Sequence, residues 1–173
     1  MHSHWDSTLE PDPDNCNARH ALRLGLRLVK GLAEAEGTRI VASRADGYAG
    51  LSDIMRRADI SAKALEAIAR ADGFNSLGLN RRKALWEVRA LGKQRWHELP
   101  LFAHATRRHH DLAGREAAVA LPQAQPGEDV AADYRSLGLS LKAHPMTVLA
   151  VPLAAAGLKS CAVAFDAPDG QRL

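Results

Sequence analysis

Apolar positions recur with a helical period through the middle of the chain. Within residues 34–45, Gly37, Ile40 and Val41 share a face. Beyond Ser61, whose hydroxyl suits a helix N-cap, Leu65, Ile68 and Ala69 fall at i, i+3 and i+4. Beyond Asn80, a second candidate cap, Ala84, Leu85, Val88 and Leu91 form a continuous apolar stripe. Ser52 followed by Ile54, Met55 and Ala58 predicts a shorter helix between these. Residues 19–95 therefore read as helical throughout, in a composition rich in the strong helix formers Ala, Leu, Arg and Glu. The flanks differ. Residues 1–18, with Pro11-Asp12-Pro13-Asp14-Asn15, predict an extended acidic lead with turn chemistry and no folded element. Residues 96–126 lack periodicity, carry Pro100, Pro122 and Pro126, and predict a flexible tether. A helix resumes near Glu128, with Val130, Tyr134 and Leu137 on one face and Gly138 as its stop. His144-Pro145 opens a last helix, which Pro152 is expected to kink or shorten, so that 127–157 forms a helical segment. Residues 158–173 end on the turn Pro168-Asp169-Gly170 and read as a truncated lead into a further element.

Two places in the helical region repeat one arrangement: an apolar helix end, a tight glycine turn, and a new helix start. The first is Leu28-Val29-Lys30-Gly31-Leu32-Ala33 before residue 34, and the second is Ser76-Leu77-Gly78-Leu79 before Asn80-Arg81-Arg82-Lys83. Glycine is required where the backbone takes positive φ or where a phosphate must approach closely. The helix start that follows offers unpaired N–H groups and the positive end of the helix dipole to an anion. The expected fold is thus mainly α, a tandem helix-hairpin-helix domain followed by a tether and two further helices. Lys30, Gly31, Leu32 and Ala33 at the first turn, and Gly78, Asn80, Arg81 and Arg82 at the second, are the candidate DNA-phosphate contacts. Arg89 joins them, because Arg82, Trp86, Arg89 and Lys93 share a face of the last hairpin helix. Trp86 is expected to pack beneath that stripe rather than stack on bases. Arg81 and Arg82 are expected to be exposed, so that their removal weakens binding without changing stability.

Charge sharpens this picture once it is divided along the chain. The overall formal charge is +3. Residues 1–18 hold four acidic groups and no Lys or Arg, residues 19–95 hold 16 basic groups against 8 acidic, and residues 96–173 hold 7 against 8. The basic excess is confined to the hairpin region, as a phosphate-facing module requires. Hydrophobic residues at 46% and charged residues at 25% exclude a wholly disordered chain. No run approaches the roughly 18 apolar residues of a membrane span, and the first residues lack the order of a secretory signal, so a cytoplasmic protein is expected. Cys16 and Cys161 have no nearby partners at zinc-ligand spacing, and His2, His4, His109 and His110 read as solvated, so no metal site is expected.

Several blocks resemble one known family. The runs at 22–32 and 71–86, the latter reading Ala-Asp-Gly-Phe-Asn-Ser-Leu-Gly-Leu-Asn-Arg-Arg-Lys-Ala-Leu-Trp, resemble the tandem helix-hairpin-helix of C-family, DnaE-type bacterial DNA polymerase III alpha subunits. Arg81-Arg82 followed by Ala84-Leu85-Trp86, with Leu99-Pro100-Leu101-Phe102, resembles the error-prone translesion branch (the ImuC group). Residues 127–130, 133–135 and 138–145 resemble the segment that precedes that family's OB domain, and residues 3–10 its lead into the hairpins. The resemblance implies a DNA-binding module of an error-prone polymerase, holding duplex DNA during DNA synthesis, repair and damage tolerance. The family usually has glycine where this chain has Ala33. Its catalytic magnesium ions are held by aspartates far upstream; no such carboxylate cluster occurs here, so no cofactor and no polymerase activity are expected of these residues, and the chain is expected to be an excerpt. Glu98-Leu99-Pro100-Leu101-Phe102 resembles a sliding-clamp-binding peptide with Glu98 in place of the usual Gln, which makes the clamp, or another translesion protein, a candidate second partner. The alternatives are a stand-alone DNA-binding or clamp-interacting protein, or a helix-hairpin-helix DNA glycosylase. The last requires a lysine nucleophile or an aspartate such as Asp46 or Asp53 beside a base-sized pocket.

Overall fold

The computed structural model describes residues 2–11, 20–94 and 121–171. Within these, strands β1 (Thr8–Pro11) and β2 (His20–Arg23) precede helices α1 (Glu34–Ala42), α2 (Leu51–Ala58), α3 (Ala62–Arg70) and α4 (Arg81–Gln94). After them come α5 (Pro126–Ser136), α6 (Pro145–Ala155) and α7 (Cys161–Phe165). Single 3-10 turns at Leu26–Leu28 and Asn75–Leu77 lead into the two glycine turns. The fold is mainly helical, as its pattern predicts. Residues 95–120, which hold most of the expected tether, the 98–102 peptide and His109-His110, lie outside the described residues, as does Cys16.

The caps and faces follow the sequence closely. The Ser61 hydroxyl accepts from the Ala64 N–H at 3.1 Å, and Asn80 Oδ1 accepts from the Lys83 N–H at 2.9 Å. Ile40, Ile54, Leu65, Ile68 and Phe74 are fully buried at the centre of one core, so α1 to α4 close around a single apolar interior. The stripe on α4 is narrower than the pattern implies: Ala84 and Val88 are buried, whereas Leu85 and Leu91 lie at its edges.

The N-terminal lead departs from expectation. Residues 8–11 are not a loose extension but a strand, and residues 20–23 are not helical. The two pair antiparallel, with Thr8 opposite Arg23 and Leu9 opposite Leu22. Opposite charges face one another along this pair: Glu10 pairs with Arg23 through both of its oxygens, and Asp6 pairs with Arg27 at 2.8 Å. The chain is fixed further by the N–H groups of Leu26 and Arg27, which donate to the carbonyls of His4 and Trp5 at 2.9 and 3.0 Å. Trp5 lies against α1 at Gly37, where a Cβ would come within 2.5 Å of the indole. Gly37 is thus a contact position for the lead as well as part of a helix face.

The C-terminal part also differs in detail. Helix α5 begins at Pro126, which takes the first helical position instead of ending the tether; Gln125 and Glu128 form a capping box around it. His144 Nδ1 accepts from the Met146 N–H at 3.2 Å and starts α6, which continues past Pro152 to Ala155. Pro152 therefore does not end it. The five-residue α7, too short to show a period, makes three further helices rather than two. No helix among the described residues is long and apolar enough to cross a membrane.

Core truncation gives a direct test. Phe74→Ala should cost about 3–5 kcal/mol in urea unfolding, because the ring is wholly enclosed and the site can collapse only in part. Leu9→Ala, on a ribbon position that is 69% exposed, should stay within about 0.5 kcal/mol.

Candidate nucleic-acid interface

The two glycine turns share one arrangement from the glycine onward. Gly31 has φ +86° and Gly78 φ +69°, and at neither would an added Cβ meet any atom within 4 Å. Glycine is needed there for its conformation, and each turn stands open to approach. The next residue is a buried leucine, Leu32 at the first turn and Leu79 at the second, which pins the turn to the core. Two residues after each glycine comes the cap position, occupied by Ala33 and Asn80, and three residues after it the first helical residue, Glu34 or Arg81. Ala33 has no side chain able to cap, and Asn80 satisfies only the Lys83 N–H. Of the remaining first-turn N–H groups, that of Glu36 donates to the Ala33 carbonyl at 3.1 Å, and those of the first two residues of each helix have no intrahelical acceptor, as at any helix start. Their surroundings differ: Glu34 and Glu36 lie in the first turn of α1, whereas that of α4 has no acidic residue. Glu36 is held by Ser61, whose N–H and hydroxyl both donate to its carboxylate, at 3.1 and 2.8 Å.

The cations expected beside these turns are not equally free. Arg81 is buried, 8% exposed, and its expected exposed position is overturned. One guanidinium nitrogen donates to the carbonyl and carboxylate of Asp129 at 3.1 and 3.0 Å, and another pairs with the buried Asp133. These partners lie 48 and 52 residues downstream, so the run Arg81-Arg82-Lys83 by itself carries no sign of them. Arg82 reaches Glu128 and the Pro122 carbonyl, each at 2.8 Å. Lys30 Nζ donates to the Tyr134 carbonyl at 3.2 Å, and the Lys30 N–H to the Ser136 carbonyl at 2.9 Å. Helix α5 thus lies across both hairpins: Glu128, Asp129 and Asp133 meet the second, and Tyr134 and Ser136 meet the first. Arg89 is exposed on α4. Trp86 is 51% exposed, so it does not pack beneath the basic stripe; the buried positions of α4 are one helical face away, at Ala84 and Val88.

A charge network closes the α5 contact. Lys142 pairs with Asp72 at 2.8 Å and with Asp129 at 3.3 Å, and Ser140 Oγ donates to Asp133 at 2.7 Å. Burial pushes the Asp72 carboxyl up, but hydrogen bonds from Lys142 and Asn75 and the Lys142 and Arg81 charges outweigh it and hold the group below its ordinary 3.8. Burial likewise opposes the Lys142 charge, yet the Asp72 hydrogen bond and the surrounding carboxylates keep it above 10.5. Sequence reasoning missed Asp72, Asp129, Asp133 and Lys142. One signal was present: Asp133 sits three residues after Val130 and four before Leu137, a charge within an apolar stripe. The carboxylates that converge here are directed at Arg81 and Lys142 and do not fit a magnesium ion; among the described residues no group of three or more His, Cys, Asp or Glu could hold a metal.

Comparison with known proteins points to the same motif. A family model described as a helix-hairpin-helix motif matches residues 1–84. An error-prone DNA polymerase of Sinorhizobium medicae is 45% identical over 164 residues, which cover 86% of this chain and 14% of that protein. One from Mesorhizobium japonicum is 40% identical over 186 residues, covering 99% of this chain and 16% of its own length. Error-prone DNA polymerase 2 of Agrobacterium fabrum is 43% identical over 173 residues, 98% of this chain and 16% of that protein. The chain therefore spans about one sixth of the length of these relatives.

Asp133→Asn should destabilise the fold by an amount at the lower end of roughly 3–5 kcal/mol, since Arg81 would stay buried with only Asp129 as its anionic partner. Denaturant unfolding of the variant reads this directly. The Asp72 carboxyl, depressed in the folded state, contributes stability that is complete above its unfolded value and lost as pH falls through the folded one. Unfolding free energy should therefore fall on acidification below about pH 4, and Lys142→Gln should make that fall shallower.

Proposed function

We propose that the chain is a segment of an error-prone, DnaE-type DNA polymerase bearing its helix-hairpin-helix region, and that it is a module that grips duplex DNA by its backbone phosphates. The observation that carries this reading is the repeated turn: an open glycine at positive φ, a buried leucine, a cap position and a helix start, at identical spacing in both copies. Each copy presents backbone N–H groups and the positive helix end to one anion. Two such points hold a duplex without reading its bases, which suits an enzyme that must copy any sequence, damaged or not. Lys30, Gly31, Leu32 and Ala33 serve the first point, through backbone groups and the Lys30 charge. Gly78, Asn80 and Arg82 serve the second, with Arg89 along α4. Arg81 is assigned to the scaffold beneath them.

In this reading the longer polymerase supplies the magnesium-dependent chemistry, and this segment supplies grip during translesion synthesis and repair. It acts in the bacterial cytoplasm, where the DNA lies. The sliding clamp or another translesion protein is the further partner that residues 98–102 would serve.

If about four phosphates are engaged, log K for a labelled duplex should fall with log salt at a slope of roughly −3.6. Arg89→Ala and Lys30→Ala should each flatten that slope by about one unit. Base sequence should matter little. Affinity that is indifferent to salt contradicts the reading.

A further inference from the structure

The docking of α5 creates a cleft of about 420 Å³ that the hairpins alone do not possess. Its walls come from four elements: Lys30 of the first turn, Arg70 at the end of α3, Arg81 and Leu85 of α4, and Arg135 with Ser136 of α5. Four of these groups are cationic and no acidic side chain lines it. The charges are not equally committed. Arg81 is neutralised by Asp129 and Asp133, and Arg70 pairs with Glu66 at 2.8 Å on a side chain that is 64% exposed. Lys30 gives one hydrogen bond to a neutral carbonyl and keeps its full charge and two further N–H donors. Arg135 is exposed and enters no ion pair among the described residues. The end of α5 would itself repel an anion, but Lys30 already caps its Tyr134 and Ser136 carbonyls with a side-chain and a backbone N–H.

We propose that this cleft binds a phosphate group, held by Arg135, Lys30 and Arg70. A planar guanidinium offers paired donors matched to phosphate oxygens, and the ammonium adds a point charge. Lys30 immediately precedes Gly31, so the cleft borders the first glycine turn. On the DNA-gripping reading, on which this source of phosphate rests, α5 lengthens the phosphate track beyond the hairpins. A free phosphate or nucleotide is the other source of the same chemistry.

The test has two arms on the whole chain. Inorganic phosphate is titrated while the arginine side-chain Nε–H resonances are followed, and a labelled duplex is titrated at several salt concentrations with wild type and Arg70→Gln/Arg135→Gln. Arg56, on α2 and outside the cleft, is the control, both as a resonance and as Arg56→Gln. Saturable shifts at Arg70 and Arg135 but not Arg56, with a salt slope one to two units shallower only in the double variant, are expected and assign the phosphate to DNA. The same shifts with an unchanged slope support the cleft as a site for free phosphate or nucleotide. Absence of the shifts together with an unchanged slope overturns the proposal while leaving the hairpin grip standing. Shifts in a protein that binds no duplex would instead overturn the hairpin reading and leave the cleft.

Discussion

The buried pairing of Arg81 with Asp133 and Asp129 fixes how everything else in the molecule is used. A guanidinium out of water depends on partners for its donors, and here two carboxylates and a backbone carbonyl match its two terminal nitrogens, while the buried Nε–H has no partner among the described residues. All of those acceptors come from α5. The pairing therefore does more than stabilise the second hairpin: it selects the position of a helix that starts 45 residues further along the chain. Lys142 extends the lock to Asp72 at the end of the α3 region, so the same charges bind α5 to both sides of the second turn.

This placement makes α5 a brace between the two hairpins. Glu128, Asp129 and Asp133 meet Arg82 and Arg81, and Tyr134 and Ser136 receive Lys30. Asp133, which receives Arg81, adjoins Tyr134, which receives Lys30, so both turns are tied to neighbouring positions of one rigid helix. Rigid spacing matters for a bivalent grip, because a second contact made by a preorganised partner costs little further entropy. A domain with two loosely related turns would hold a duplex less tightly with the same contacts.

What the sequence makes legible depends on the range of the interactions involved. Local ones were legible: Ser61 and Asn80 cap where expected, the buried face of α3 follows its period, and the need for glycine at positions 31 and 78 follows from turn chemistry. Short elements were not, because the β1–β2 ribbon and α7 hold too few residues to show a period and depend on ion pairs or caps. Long-range charge pairing was the largest omission. Arg81, Arg82 and Lys83 look alike in sequence, yet the first is interior, the second half-engaged and the third exposed. Only Asp133, a charge within an apolar stripe, indicated that a buried partner existed. Trp86 failed for a related reason, since its period placed it beside the apolar stripe and packing left it at the surface.

The central claim is that the glycine turns, and not the Arg81 guanidinium, receive the DNA. The most direct measurement is amide and arginine side-chain NMR during titration with a short duplex. The account predicts that the Gly31 and Gly78 amide resonances, with those of the helix starts that follow them, shift together and saturate at one concentration, while the Arg81 Nε–H resonance stays in place. Movement of the Arg81 resonance with unmoved glycine amides would contradict it.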